Sequence, residues 1–225
     1  MNHWTLLDTA TIPGTDGALC LHQCENDFTI DIQDGGQLMN TWEHSSEDAL
    51  AKLTCTRVAN RPQPRVLIGG LGMGFTLAAA LRHLGDDAEV VVGELVPEVV
   101  KWNRGPLGEH AGRPLDDKRA TVRVGDVAKV LRAERKAFDA ILLDVDNGPE
   151  AMTRQKNNWL YSFDGLSESY TALRPGGILA IWSAGPDRVF TQRLKKAGFS
   201  VRQARVLSDG KQGSLHMIWL ATRED

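Results

Sequence analysis

Cysteine is scarce in this chain, and long apolar runs are missing. The three cysteines, Cys20, Cys24 and Cys55, are an odd number at spacings that match no metal-binding or redox motif. We therefore expect reduced thiols and no metal site. No window approaches the roughly 18 apolar residues of a membrane span, and residues 1–10 lack the basic and apolar regions of a secretory signal. These absences predict a cytoplasmic protein that does not bind membranes.

An excess of charge of either sign is also missing. The 225 residues carry a formal net charge of −3, and the basic residues are scattered. Nucleic-acid-binding domains usually carry clustered Lys and Arg, so we do not expect a nucleic acid as partner. Hydrophobic residues make up 42% of the chain, which is enough to build a sizeable core without disulfides or metals.

The most informative stretch is residues 65–74, which read RVLIGGLGMG. A β-branched strand enters a glycine-rich turn, a helix follows, and the next strand ends on Glu94, 20 positions after Gly74. Glycines let the backbone turn tightly and approach a ligand, and a helix start offers unpaired N–H groups. The acid can accept hydrogen bonds from ribose hydroxyls. This context predicts a nucleotide-type binding site rather than a plain turn.

The chain divides at a proline-containing connector, residues 61–64. Residues 1–60 predict a small antiparallel β-hairpin unit followed by a helix, and residues 61–225 predict a Rossmann-like domain. In the second part strands alternate with helices, which is the pattern of a parallel sheet covered on both faces. The last two strands leave no room for a helix between them and should pair antiparallel. The open edges of the hairpin unit are compatible with a homodimer.

Acidic side chains follow three successive strands of the predicted sheet, at Glu94, Asp126 and Asp144. Ligands of such sheets bind beyond the carboxyl ends of the strands, so these acids should lie along one rim. Asp144 ends a buried apolar strand, where a carboxylate without a partner is costly, and we interpret it as a catalytic or substrate-orienting group. For Asp126 a ligand contact is favoured over capping of the next helix, and one side chain can do both.

Together these stretches resemble the spermidine synthase-like branch of the class I S-adenosylmethionine-dependent methyltransferase fold. The motifs that carry the resemblance are IGGLGMG (68–74), GELVPEV (93–99), VGD (124–126), FDAILLD (138–144), LYSF (160–163) and LRPGGIL (173–179). The resemblance implies an α/β, Rossmann-like fold with a mostly parallel seven-stranded sheet and an antiparallel last strand. It also implies a transferase whose co-substrate is S-adenosylmethionine or decarboxylated S-adenosylmethionine, and whose partner is a small-molecule acceptor.

The resemblance implies a role for each matched residue. Glu94 would bind the ribose and Asp126 the adenine, and Asp144 corresponds to the catalytic aspartate that orients and helps deprotonate an attacking amine. The implied nucleoside-binding set is Gly69, Gly70, Gly72, Gly74, Glu94, Leu95, Gly125, Asp126 and Asp144.

On the acceptor side, Tyr161 would act in catalysis from a loop that closes over the substrate. The implied substrate contacts are His44, Asp146, Asn147, Trp159 and Tyr161. For His44 a capping or surface position is favoured over substrate contact, and Asp146 and Asn147 equally fit a plain turn. A core position is favoured for Phe163, and a structural role for His216.

Two departures from the family pattern decide the predicted reaction. Members of the family commonly carry an acid in the glycine loop, where this chain has Gly72, and another after the catalytic aspartate, where it has Asn147. Each lost charge-assisted contact would cost a cationic substrate about 1–3 kcal/mol. We therefore favour methyl transfer to a small nucleophile such as an amine, with aminopropyl transfer as the alternative. Aminocarboxypropyl transfer and a non-catalytic nucleoside-binding sensor or partner subunit stay open.

Overall fold

The structure is a computed structural model that describes residues 3–145, 159–208 and 213–224. Its N-terminal part is an antiparallel sheet in which four strands pair in chain order. They are β1 (Thr5–Thr11), β2 (Ala18–Cys24), β3 (Asp27–Ile32) and β4 (Gln37–Asn40). The predicted β-hairpin unit therefore has fewer strands than the observed sheet. Strand β1 was missed because it is mostly exposed, Leu6 and Leu7 included, and shows no alternation of apolar and polar residues. The homodimer stays a prediction.

A second sheet lies C-terminal to the first, and seven strands of it fall within the described ranges. Their order is β10-β11-β9-β8-β5-β6-β7, and only β11 runs antiparallel to its neighbours. The strands are β5 (Arg65–Gly69), β6 (Glu89–Glu94), β7 (Ala120–Val124), β8 (Phe138–Leu143), β9 (Leu173–Ser183), β10 (Phe199–Leu207) and β11 (Leu215–Arg223). The predicted α/β fold, with its mostly parallel sheet and antiparallel last strand, is confirmed.

Both faces of the second sheet are buried along its central strands. Along β5, Val66 and Ile68 belong to one hydrophobic cluster and Leu67 to another, as the two-residue period of a strand requires. Covering helices explain why the central strands β5, β6 and β8 are almost wholly buried rather than alternating. The helices are α1 (Ser45–Val58), α2 (Phe75–His83), α3 (Pro97–Arg104), α4 (Leu107–His110), α5 (Val127–Ala133), α6 (Phe163–Ala172) and α7 (Arg188–Lys196), with a 3-10 turn at Pro114–Asp116.

The first sheet and helix α1 both pack onto the second sheet. Helix α1 contacts α2, β8 and β9. Phe28 and Ile30 of the first sheet belong to the same buried cluster as Leu71 and Val96, which follow β5 and β6. The N-terminal sheet thus covers the carboxyl ends of these two strands. The division at residue 61 stays a prediction, and α1, which it assigned to the N-terminal unit, packs on the larger sheet.

None of the described helices is long and apolar enough to cross a membrane. Among the same residues, no group of three or more His, Cys, Asp or Glu side chains is arranged to hold a metal ion.

Candidate active site

The glycine loop between β5 and α2 lies directly against the end of β8. Gly70, Gly72 and Gly74 all have positive φ, which favours glycine. A Cβ on Gly70 would lie 2.4 Å from the carbonyl oxygen of Asp144. The loop therefore needs glycine at this position for the close approach as well as for the turn.

Glu94 ties the glycine loop to the end of β6. Its Oε2 accepts a hydrogen bond from the Leu71 N–H and its Oε1 one from the Val96 N–H, both at 2.8 Å. The residue is only 7% exposed. Burial raises the pKa of Glu94, and the backbone N–H groups oppose that rise by favouring the carboxylate. The carboxylate thus holds the loop in shape at the edge of a cavity.

This first cavity brings most of the predicted nucleoside-binding residues together. Those that line it are Gly70, Gly72, Glu94, Leu95, Gly125, Asp126 and Asp144. Its opposite wall is apolar and comes largely from the N-terminal sheet, at Ile12, Leu19, Ile30, Ile32, Leu38 and Met39. A cavity with apolar walls and a few converging polar groups is typical of a small-molecule site. The N-terminal unit therefore contributes the apolar wall of the cavity.

Gly69 and Gly74 stand outside this lining and shape the loop instead. Gly69 is the last residue of β5, and a Cβ there would lie 3.0 Å from the Leu143 side chain. Gly74 precedes α2 as its N-cap residue, and a Cβ there would lie 2.9 Å from Asn103 Oδ1. Their direct contact with a nucleoside stays a prediction.

Asp126 is both a helix cap and a lining residue. Its Oδ1 accepts a hydrogen bond from the Ala128 N–H at 2.9 Å at the start of α5, and the same residue faces the first cavity. The capping contact occupies one carboxylate oxygen, so the other can accept from an exocyclic amine. Adenine binding by Asp126 stays a prediction.

Asp144 follows β8 and lines two cavities at once. Its Oδ2 accepts a hydrogen bond from the Thr76 hydroxyl at 2.5 Å. Burial raises the pKa of Asp144, and the Thr76 contact partly opposes that rise. Asp144 is thus a carboxylate with a fixed orientation at the junction of the cavities.

The second cavity, of about 310 Å³, is more polar than the first. Glu43 precedes helix α1 and Glu47 lies in its first turn, and both line this cavity with Asp144. Burial, together with the nearby charge of Asp144, raises the pKa of Glu47 to about 7, although the Ser46 hydroxyl donates to this carboxylate at 2.5 Å. The second cavity therefore contains a closely interacting pair of carboxyl groups.

Trp182 and His216 form another part of the same lining. Their ring centroids are 4.7 Å apart. Trp182 Nε1 and His216 Nδ1 are buried, and neither has a hydrogen-bond partner within the part of the chain that the structure describes. Burial lowers the pKa of His216, against the opposing charge of Glu43, so the imidazole is largely neutral at neutral pH.

Two aromatic residues just before and at the start of α6 differ from their predicted positions. Tyr161 is only 2% exposed, and its hydroxyl donates to the carbonyl of Val145 at 2.9 Å. Tyr161 therefore lies in the core next to Val145 and does not line either cavity. Phe163, by contrast, is 52% exposed. Ser162 caps α6, so Phe163 starts the helix and points outward. The core position favoured for Phe163 is wrong, and a catalytic role for Tyr161 stays a prediction.

The other predicted substrate contacts are also accounted for by neighbours in the protein. The His44 ring stacks on Phe75 at 4.1 Å, and its Nδ1 is 3.0 Å from Asp48 Oδ2. The guanidinium of Arg132 lies over the half-buried Trp159 ring at 3.8 Å. Substrate contact by His44 or Trp159 stays a prediction. Asp146 and Asn147 lie outside the described residues.

Four residues of the second cavity were missed as candidate site residues: Glu43, Glu47, Trp182 and His216. Glu43 and Glu47 are four positions apart at the start of a helix, a spacing that places two side chains on one face. That signal was available, but neither acid was identified as a site residue. For Trp182 and His216 there was no local signal, because their proximity depends on the pairing of β9 with β11.

The chain is similar in sequence to a known protein family and to several of its members. The model of the spermine/spermidine synthase domain matches residues 43–193. The chain belongs to this family. Polyamine aminopropyltransferase 1 of Streptomyces coelicolor is 33% identical over 127 residues, which are 56% of this chain and 23% of the relative. The polyamine aminopropyltransferase of Korarchaeum cryptofilum is 27% identical over 157 residues, which are 69% of this chain and 46% of the relative.

The chain thus spans less than half the length of these curated relatives. Among solved structures, spermidine synthase from Thermotoga maritima superposes with a TM-score of 0.74 at 17% identity, over 97% of this chain and 72% of that one. The similarity at this identity shows the fold. The resemblance to the spermidine synthase-like branch is confirmed.

Proposed function

We propose that the protein transfers an aminopropyl group from decarboxylated S-adenosylmethionine to an amine. The curated relatives support this alternative over the methyl transfer that the sequence favoured, since both are polyamine aminopropyltransferases by name. The observation that carries the proposal is that Asp144 lines both cavities. A nucleoside in the first cavity and an amine in the second would meet at one carboxylate.

The preference for methyl transfer depended on two missing acids, and helix α1 weakens that argument. Glu47 adds a carboxyl group beside Asp144 from a different part of the chain. At Gly72 the backbone has φ 52°, and a Cβ would lie 3.2 Å from Met39 Sδ, so an aspartate there would be strained and crowded. A cationic group can therefore be held by Glu47 in place of an acid in the glycine loop.

The chemistry required of these residues is mainly positioning. The amine nitrogen forms a bond to the propyl carbon next to sulfur, the carbon–sulfur bond breaks, and its electron pair leaves with a neutral thioether nucleoside. Asp144 accepts a hydrogen bond from the amine and takes the proton that the new ammonium releases. Holding both reactants beside Asp144 supplies much of the rate acceleration. Glu94 would bind the ribose hydroxyls and Asp126 the adenine amino group.

The donor can be tested directly with the purified protein. It is incubated with a mixture of primary amines and either decarboxylated or intact S-adenosylmethionine, and the mass gained by each amine is measured. We expect an aminopropyl increment with the decarboxylated donor and none with the intact one. A methyl increment from intact S-adenosylmethionine would restore the methyl-transfer hypothesis. Tight nucleoside binding without any product would favour the sensor.

A further inference from the structure

Threonine hydroxyls in the described helices donate hydrogen bonds in two different ways. Most donate to the carbonyl oxygen four residues earlier: Thr54, Thr56, Thr171 and Thr191. This local bond is common for a threonine in a helix. Thr76, in the first turn of α2, donates instead to Asp144 Oδ2 at 2.5 Å, and the two residues are 68 positions apart in the chain. Its hydroxyl therefore serves Asp144 rather than its own helix.

The position of Thr76 in its helix explains this difference. The carbonyl four residues earlier belongs to Gly72, which precedes α2 and accepts a hydrogen bond from Asn103 Nδ2 at 2.7 Å. A hydroxyl has one hydrogen to donate, so the contact with Asp144 uses the whole donor capacity of Thr76. The side chain is 2% exposed, and its branching at Cβ restricts its rotamers in a helix. The donor is thus held in one place.

The backbone of Asp144 is fixed by the loop that leads into α2. The Asp144 N–H donates to the Gly69 carbonyl at 3.0 Å, and the Asp144 carbonyl lies so close to Gly70 that a Cβ there would be 2.4 Å from it. The loop therefore sets the position of Asp144, and Thr76 sets the rotation of its carboxyl group. Oδ2 accepts from the Thr76 hydroxyl, whereas Oδ1 accepts no hydrogen bond from any residue that the structure describes. Oδ1 is thus the oxygen available to a ligand in the two cavities that Asp144 lines.

We propose that Thr76 is a positioning residue for the transfer reaction: its hydroxyl holds Asp144 Oδ2, so that Oδ1 faces the attacking amine and accepts its proton. This inference rests on the proposed function for the identity of the amine. Thr76 acts through Asp144 and not on the substrate. Its contribution is orientation, because a carboxyl group that rotates freely presents an oxygen to the amine only part of the time. A hydroxyl that donates to the charged form also favours the carboxylate over the acid.

Two substitutions separate the hydroxyl from the shape of the side chain. Thr76→Val keeps the size and the branching and removes the donor, whereas Thr76→Ser keeps the donor and removes a methyl group. The donor is decarboxylated S-adenosylmethionine, and the acceptor is the primary amine that wild type converts fastest. We expect kcat to fall about tenfold to a hundredfold in Thr76→Val, since a hydrogen bond to a charged group is lost. The KM for the amine should stay within about threefold of wild type.

Rescue by serine distinguishes positioning from packing. Thr76→Ser should keep kcat within about threefold of wild type, because the hydroxyl can still reach Asp144. Equal losses of kcat in the valine and serine variants would overturn the inference, and so would an unchanged kcat in Thr76→Val. Should thermal unfolding show that Thr76→Val does not fold, Thr76→Ala takes its place. Thr56→Val, which removes an exposed helix hydroxyl that donates to the Lys52 carbonyl, is the matched control and should leave kcat unchanged.

The carboxyl group of Asp144 can also be observed without turnover. The protein is labelled with aspartate that carries carbon-13 in its side-chain carboxyl group, and the Asp144 signal is identified by its absence from Asp144→Asn. The signal is titrated with pH by NMR, with and without 5′-methylthioadenosine, the thioether product expected from the proposed reaction. Removing the hydroxyl should raise the pKa of Asp144, since the Thr76 contact opposes the rise that burial causes. We expect a midpoint at higher pH in Thr76→Val than in wild type, and an unchanged midpoint in Thr76→Ser.

This titration separates the inference from the proposed function. The other titratable groups that share a cavity with Asp144 are the same in wild type and in both variants: Glu43, Glu47, Glu94, Asp126 and His216. A midpoint that moves in Thr76→Val but not in Thr76→Ser would support the positioning of Asp144 by Thr76 even if no amine gains an aminopropyl group. The same midpoint in all three proteins would overturn it even if aminopropyl transfer occurs.

Discussion

Glu47, in helix α1, lines the same cavity as Asp144, which follows strand β8. The charge of Asp144 raises the pKa of Glu47. Neither carboxyl group has an Arg or Lys among the partners that set its pKa, and burial is the largest influence on both. Such a pair is poised to take up an external cation, because an ammonium between two half-buried carboxylates relieves their repulsion.

The raised pKa of Glu47 makes the free energy of unfolding depend on pH. The pKa of Glu47 is about 7 in the folded state against an ordinary value of 4.5. The folded protein therefore holds a proton that the unfolded chain loses, and the free energy of unfolding falls as pH rises from about 4.5 to about 7. In Glu47→Gln we expect a free energy of unfolding about 1–3 kcal/mol above wild type near pH 8, with the gain vanishing near pH 4. Urea denaturation across this pH range measures it.

The control for this prediction is Glu25→Gln, at an exposed glutamate in the turn between β2 and β3. Its free energy of unfolding should follow that of wild type at every pH. A Glu47→Gln variant that parallels wild type in the same way would show that Glu47 ionises normally in the folded protein.

Replacing Asp144 should separate binding from turnover. Asp144→Asn keeps the size and one acceptor oxygen but cannot take a proton, so we expect turnover to fall about a hundredfold or more. The affinity for 5′-methylthioadenosine should stay within about threefold of wild type, since the nucleoside depends mainly on other groups. Product formation and calorimetric titration provide the two measurements. Asp86→Asn, at an exposed aspartate, is the matched control, and normal turnover in Asp144→Asn would remove its catalytic role.

Replacing Glu94 should lower both the nucleoside affinity and the free energy of unfolding. In Glu94→Gln one acceptor oxygen becomes an NH₂ group, which would face either the Leu71 or the Val96 N–H. We expect the free energy of unfolding to fall by about 1–3 kcal/mol and nucleoside affinity to fall about tenfold. Glu89→Gln, at the exposed start of the same strand, should change neither quantity by much. Unaltered nucleoside affinity in Glu94→Gln would argue against a ribose contact.

Gly70 should tolerate no side chain. A Cβ at this position would overlap the Asp144 carbonyl, 2.4 Å away, and the backbone has φ 89°. We expect Gly70→Ala to lose about 3 kcal/mol or more of folding free energy and to lose nucleoside binding, because the loop must move away from Asp144. Thermal unfolding and titration test this. Gly36→Ala, where nothing lies within 4 Å of the added atom, is the control and should fold normally.

Local patterns in the sequence were sufficient for the larger sheet but not for the aromatic segment beside the site. Apolar strands separated by amphipathic helices predict a parallel sheet because each element must bury its own apolar face. Tyr161 and Phe163 were assigned the reverse of their positions, one to a lid and the other to the core. The start of helix α6 at Phe163, capped by Ser162, decides which of the two points inward, and the residue types alone do not indicate it.

The alternation of strands and helices along the chain, the glycine loop and the acids at the strand ends were determined by the sequence alone, because they depend on local spacing and on backbone conformations that glycine permits. The second cavity was decided only by tertiary structure. It combines the start of α1, the end of β8 and the facing strands β9 and β11, and no local pattern encodes which distant side chains these elements bring together. The missing acids at Gly72 and Asn147 therefore do not by themselves decide between methyl and aminopropyl transfer, since a carboxylate can reach the same cation from another part of the chain.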